Sequence, residues 1–186
     1  MVDSVRRKKL ALHLRQLSVG LITNDDFEER VMDDVTNGWL PEQYYRAKEV
    51  KSDDPIIMPI LELCWCLYSD TDQYKLKGKH KLTDQQLKDI ARYILFLHSD
   101  LEYEWPYIDV TNPLIKFSFK DLLLTVLTLG QNIRDERKKR EQQIKEAESK
   151  GDMDVWPFFR RRDYEVQLKK HPFLTGQGKA NAQHQL

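Results

Sequence analysis

The residues best suited to chemistry lie in one acidic and aromatic stretch, HSDLEYEWPY, at positions 98–107. Carboxylates and aromatic rings alternate in it, with the period of two that is typical of a strand or an extended segment. Such a segment places the carboxylates on one side and the rings on the other. The residues concerned are Asp100, Glu102, Tyr103, Glu104, Trp105 and Tyr107.

Three interpretations of this stretch are open. The rings can belong to the core while the carboxylates face water, because alternation is first of all a folding signal. The stretch can instead be a protein-binding surface that uses aromatic anchors of the kind enriched at binding hot spots. Acid–base catalysis is the third interpretation, and it requires burial to raise the pKa of one carboxyl group.

Compact basic clusters form a second set of candidates, because they could contact phosphates. One cluster lies at residues 6–9, and the others are Arg137, Lys138, Lys139, Arg140, Arg160, Arg161 and Arg162. The chain has 30 Lys and Arg against 30 Asp and Glu, so it lacks the broad positive field of most nucleic-acid binders. Solvated helix faces are the simpler interpretation of these clusters. A protein partner is therefore favoured, with a nucleic-acid-binding regulator as the alternative.

The sequence contains no motif that would indicate another kind of functional site. The five histidines lack the close spacing of metal ligands, and no phosphate-binding glycine loop or nucleophile elbow occurs. Cys64 and Cys66 would point about 200° apart on a helix, so they neither pair nor share a metal ion. We expect both to be buried, reduced thiols. The sequence predicts no catalytic residue, no metal and no cofactor, and favours a binding protein over an enzyme.

The candidate residues are positioned by helices that the sequence predicts. The first two of these helices form a hairpin over residues 3–36. The first helix is predicted to end near Gly20, and Thr23 is the predicted N-cap of the second. The expected apolar faces are Val5, Leu10, Leu14, Leu17 and Leu21 on the first helix, and Phe27, Val31 and Val35 on the second.

The stretch LRQLSVGLITNDDFEERV resembles the short helix-turn-helix of SHOCT-type segments. It has the leucine-rich turn, the Gly-hydrophobic-Ile-Thr corner and the acidic start followed by Phe that recur in them. The resemblance covers under a tenth of the chain, and such segments usually close a protein rather than open it. It implies a helical hairpin and no particular function.

The rest of the chain also favours helices. Asp54 is the expected N-cap of a buried helix, and Thr83 begins a capping box before a helix that ends near His98. Further helices are predicted at Pro41–Lys48, at a charged projecting segment over residues 131–150, and at Asp163–Lys170. A turn at Asn112 and Pro113 could join the 100–107 stretch to a second strand, with Ile115, Phe117 and Phe119 as the returning edge.

These patterns predict a mainly α, single-domain, bundle-like fold with at most one small β-hairpin. The 186 residues fit one domain over residues 1–174, followed by a flexible tail at 175–186. The most apolar stretches run to about a dozen residues against the roughly 20 of a membrane helix, and no export signal is apparent, so we expect a cytoplasmic protein. Its predicted function is non-enzymatic protein binding, as an immunity- or antitoxin-type inhibitor or an adaptor, with homo-oligomers also open.

Overall fold

The computed structural model describes residues 1–36, 54–106 and 131–171. This part of the chain is mainly α, as the sequence predicts, and it contains six α-helices and no strand. The helices are α1 (Ser4–Ser18), α2 (Asn24–Asp34), α3 (Ile57–Trp65), α4 (Asp84–Leu97), α5 (Gln131–Lys150) and α6 (Arg161–Lys170). Two 3-10 turns, Gly78–His80 and Met153–Val155, lie in the connections. None of the helices in the described ranges is long and apolar enough to cross a membrane.

The starts of α2 and α4 follow local capping chemistry. Thr23 and Asp26 form a reciprocal capping box at the start of α2, and Thr83 and Gln86 form another at the start of α4. Between α1 and α2, Gly20 has a φ of +65°, a conformation that glycine adopts without the strain a side chain would bring. These elements confirm the predicted hairpin, the predicted N-cap at Thr23 and the predicted capping box at Thr83.

Helix α1 lies at the centre of the packing, where it contacts α2, α3 and α4. Leu10, Leu14 and Leu17 are fully buried, as predicted. Val5 and Leu21 were expected beside them but are exposed by 64% and 60%. Val5 is rotated about 140° from Leu10 around the helix, and Leu21 follows the end of the helix, so neither shares the buried face.

Two further expectations about α3 are corrected. Asp54 is not the N-cap of α3, which begins at Ile57 without a side-chain cap. Its carboxylate accepts a hydrogen bond from the Ile56 amide at 3.4 Å, just before the helix, and is paired with Arg7. Cys64 is buried, whereas Cys66 is exposed, since two residues along a helix turn to opposite sides. Burial raises the pKa of the Cys64 thiol, which keeps it protonated and unreactive.

The stretch around residues 101–106 is not a strand, so the first edge of the predicted hairpin does not form among the described residues. Its side chains pack against α4 and against residues 155–159 instead of leading into a ladder. The predicted helix at Pro41–Lys48, the returning edge of the hairpin and the tail at 175–186 lie outside the described residues. The charged helix over 131–150 is confirmed, and the last helix begins at Arg161, slightly earlier than expected.

Candidate binding surfaces

The segment from Ser99 to Pro106 has no regular secondary structure, yet side chains hold it firmly in place. Arg7 Nη1 donates hydrogen bonds to the carbonyls of Ser99 and Leu101, at 3.1 and 2.8 Å. At the other end, Trp105 Nε1 donates to the carbonyl of Phe158 at 3.1 Å. The segment is therefore fixed at both ends to the helical core, and we call it the acidic segment.

The aromatic rings of the acidic segment point inward. Trp105 is only 6% exposed and packs edge-on against Phe159. The Tyr103 hydroxyl accepts a hydrogen bond from Trp156 Nε1 at 3.2 Å, and burial raises the Tyr103 pKa to about 12. Both rings thus anchor the segment to its own core, which is the first of the three interpretations made from the sequence. Tyr107 lies outside the described residues.

The carboxylates of the acidic segment point outward. Asp100, Glu102 and Glu104 are all exposed, which agrees with the predicted alternation. Glu104 receives two hydrogen bonds from the Arg160 guanidinium, and Glu102 lies 3.8 Å from the amino group of Met1. The segment therefore presents three carboxylates at its surface, of which Glu104 is bound by Arg160 and Glu102 lies near the Met1 amino group.

The basic cluster at residues 160–162 is largely offset by nearby carboxylates. Arg160 binds Glu104, and Arg161 lies 2.7 Å from Asp152 and 3.2 Å from Asp154. Arg162 is exposed. The cluster therefore presents much less free positive charge than its sequence indicates.

The basic cluster at residues 137–140 lies on α5, a helix that is charged along its length. Lys138 and Lys139 are exposed, while the side chains of Arg137 and Arg140 lie outside what the structure describes. One ion pair on this helix, between Glu146 and Lys150 at 2.7 Å, has the i,i+4 spacing expected of a solvated helix.

The basic run at residues 6–9 divides among three environments. Arg6 donates to the Val35 carbonyl at 2.6 Å, Arg7 is completely buried, and Lys9 lies 3.0 Å from Asp34. Of the four residues in this run, only Lys8 has a side chain that makes no ion pair or hydrogen bond with a described residue. The run is therefore a set of structural contacts with one remaining cation, rather than one phosphate-binding patch.

An apolar stripe on the outer side of α1 was missed by the sequence reasoning. Val5, Leu12 and Val19 are exposed by 64%, 53% and 50%, and they stand seven residues apart. Because seven residues are almost two helical turns, the three side chains follow one line along the helix. The seven-residue spacing, opposite the line of Leu10, Leu14 and Leu17, is the signal that could have revealed this stripe.

Positive charge borders the stripe on one side. Burial, followed by the charges of His171, Lys8 and Arg15, lowers the pKa of His98. Lys8 and Arg15 are therefore within electrostatic range of His98. The cationic edge of the apolar stripe consists of Lys8 and Arg15 on α1, since a lowered pKa leaves His98 uncharged near neutral pH.

An open groove of about 480 Å³ lies between the end of the acidic segment and α5. Its lining includes Glu104, Pro106, Phe159, Ala147 and the ion-paired Glu146 and Lys150. Among the described residues, no three His, Cys, Asp or Glu side chains come together as a metal site would require.

Comparisons with known family models, with curated proteins and with solved structures find no match to this chain.

Proposed function

We propose that this protein is a non-enzymatic protein-binding module that uses the carboxylates of the acidic segment to contact a basic surface of another protein. The supporting observation is the fixed position of the segment, with its rings inside and its carboxylates outside. A backbone held in place before binding loses little conformational entropy on association. An inhibitor of the immunity or antitoxin type, or an adaptor, could block or bridge a basic site in this way.

Within this proposal the aromatic residues act from inside the protein. Tyr103 and Trp105 position the segment, while Asp100 and Glu102 make the contact. Glu104 contributes less, because a partner cation would have to compete with Arg160 for its carboxylate. The alternative of a nucleic-acid-binding regulator has weaker support, since carboxylates offset the charges of Arg160 and Arg161.

The test is capture of a partner by the tagged full-length chain from its own cells. We would compare wild type with the double variant Asp100→Asn and Glu102→Gln, at low and moderate salt and with or without nuclease. The matched control is Glu141→Gln and Glu148→Gln, which removes the same charge from exposed positions of α5. We expect wild type and control to retain the same protein, and the acidic-segment variant to lose it by at least about tenfold.

Equal capture by the acidic-segment variant and its control would contradict the proposal. Recovery of nucleic acid that is lost on nuclease treatment and at moderate salt would instead support the alternative, because phosphate contacts weaken steeply with salt. Circular dichroism of each variant would confirm that the helices are intact.

A further inference from the structure

The outer face of α1 differs from that of an ordinary amphipathic surface helix. Its buried side carries the leucine line described above, and the solvent side of such a helix is normally polar. Here the middle of the solvent side is Val5, Leu12 and Val19, each at least half exposed. Single exposed apolar residues are common on proteins, but three in one line form a continuous strip.

The dimensions of this stripe suit another helix. From Val5 to Val19 the stripe extends about 21 Å along the helix axis. Apolar residues at intervals of seven are the pattern with which one helix packs along another. Lys8 lies between Val5 and Leu12 in the sequence, and Arg15 lies between Leu12 and Val19. Their aliphatic stems can cover apolar atoms of a partner while their charges stay in water.

The two edges of the stripe differ in charge. Along one edge, Lys8 and Arg15 are exposed and make no ion pair with any described residue. Along the other edge, Lys9 pairs with Asp34 at 3.0 Å, while Arg30 donates to the neutral Gln16 amide at 2.9 Å and keeps its charge. The Lys8 and Arg15 edge thus offers two cations without a described counter-charge.

We propose that the outer face of α1 docks an amphipathic helix of a partner protein that carries carboxylates along one edge. Its apolar residues would cover Val5, Leu12 and Val19, and its carboxylates would face Lys8 and Arg15. Charge complementarity selects this occupant. The inference is independent of the acidic segment, which has the opposite charge and other residues.

The same charges argue against two other occupants. In an antiparallel pair of identical chains, Lys8 of one copy would approach Arg15 of the other, and like charges would repel. A membrane surface favours a broad apolar face with bulky side chains, whereas this stripe is one residue wide and has the Asp34 carboxylate on one edge. Both occupants are outcomes that the experiment separates.

The experiment measures binding of two synthetic helical peptides to the full-length protein by fluorescence anisotropy. Both peptides carry leucine at seven-residue intervals, and the edge beside the leucines is glutamate in one and lysine in the other. We expect wild type to prefer the glutamate peptide by at least about tenfold, and Leu12→Gln to lose that binding by a similar factor. Leu63→Gln is the matched control, because Leu63 is an exposed leucine on α3 and should leave binding unchanged.

Charge reversal sharpens the test. The double variant Lys8→Glu and Arg15→Glu should prefer the lysine peptide, whereas the same reversal at Lys138 and Lys139 of α5 should change nothing. Binding of the glutamate peptide should also raise the pKa of His98 in an NMR titration, because its carboxylates would offset the charges of Lys8, Arg15 and His171.

Several results would overturn the inference. These are equal affinity for the two peptides, unchanged binding by Leu12→Gln, or self-association of the wild type that Leu12→Gln abolishes. Binding to phosphatidylserine-containing vesicles without binding to the glutamate peptide would assign the face to a membrane instead. Since none of these variants touches Asp100 or Glu102, failure here is distinguishable from failure of the proposed function.

Discussion

Two arginine–carboxylate pairs of this protein have nearly the same geometry in opposite surroundings. Arg7 contacts Asp54 through two hydrogen bonds, at 2.6 and 2.9 Å, and both side chains are completely buried. Arg160 contacts Glu104 through two hydrogen bonds as well, but 55% and 40% of these two side chains remain exposed. Both arginines stand in basic runs of the sequence, where nothing distinguishes them.

The surroundings decide what each pair does. Burial removes the hydration of both charges of the inner pair, so every remaining donor and acceptor must find a partner. Asp54 also accepts a hydrogen bond from the Asp3 amide at 2.8 Å, and Arg7 donates to two carbonyls and lies over the Phe96 ring. The inner pair thus connects the start of α1 to the residues shortly before α3 and to those that follow α4. The outer pair keeps its water, and salt screens it.

Breaking the inner pair should have the largest effect on stability. Asp54→Ala would leave the Arg7 cation buried without its counter-charge, so we expect the free energy of unfolding to fall by about 3–5 kcal/mol. Urea denaturation followed by circular dichroism would measure the change. A fall of less than about 1 kcal/mol would show that the buried cation is solvated by other means.

A double variant distinguishes the destabilisation caused by the unpaired charge from the destabilisation caused by lost packing. Arg7→Met combined with Asp54→Leu removes both charges, so it should be more stable than Asp54→Ala alone. The recovery should be partial, because the Ser99 and Leu101 carbonyls lose their donor. A double variant as unstable as the single one would assign the cost to packing.

An intermediate case lies at the contact between α1 and α2. Asp34 accepts hydrogen bonds from Lys9 and from the buried His13, and these lower the pKa of its carboxyl group. The unfolded chain therefore binds this proton more readily, so Asp34 stabilises the fold above about pH 4 and loses that contribution as the pH falls further. The difference in urea midpoint between wild type and Asp34→Asn should shrink on acidification below about pH 4. A difference that is independent of pH would contradict this assignment.

Breaking the outer pair should have the smallest effect. Glu104→Gln removes the contact with Arg160, but both groups stay hydrated, so we expect no measurable change in the thermal unfolding midpoint at moderate salt. Thermal unfolding at low and moderate salt is the measurement. A clear destabilisation that persists at moderate salt would show that this exposed pair helps to hold the acidic segment.

Local signals predicted much of the fold and little of the surfaces. Thr23 and Thr83 cap their helices as predicted, because a cap needs only residues a few positions away. Asp54 was predicted as a similar cap, and its carboxylate does accept a hydrogen bond from the Ile56 amide. Its main partner is Arg7, 47 positions earlier, which no local pattern can show. The alternation in the acidic segment is present as predicted, but which of its sides packs inside the protein is determined by α4 and residues 155–159.

The sequence by itself determined the helical class, the main helix boundaries and the alternation of residues 100–105, because these depend on periodicity and on short-range hydrogen bonds. Tertiary structure alone decided which charges are buried, which are offset and which stay free. Arg7, Lys8 and Lys9 are adjacent cations in the sequence, but one is enclosed, one has no described partner and one is paired with α2. The physical reason is that hydration and ion pairing depend on neighbours brought together by the fold, and residues next to each other on a helix face different neighbours.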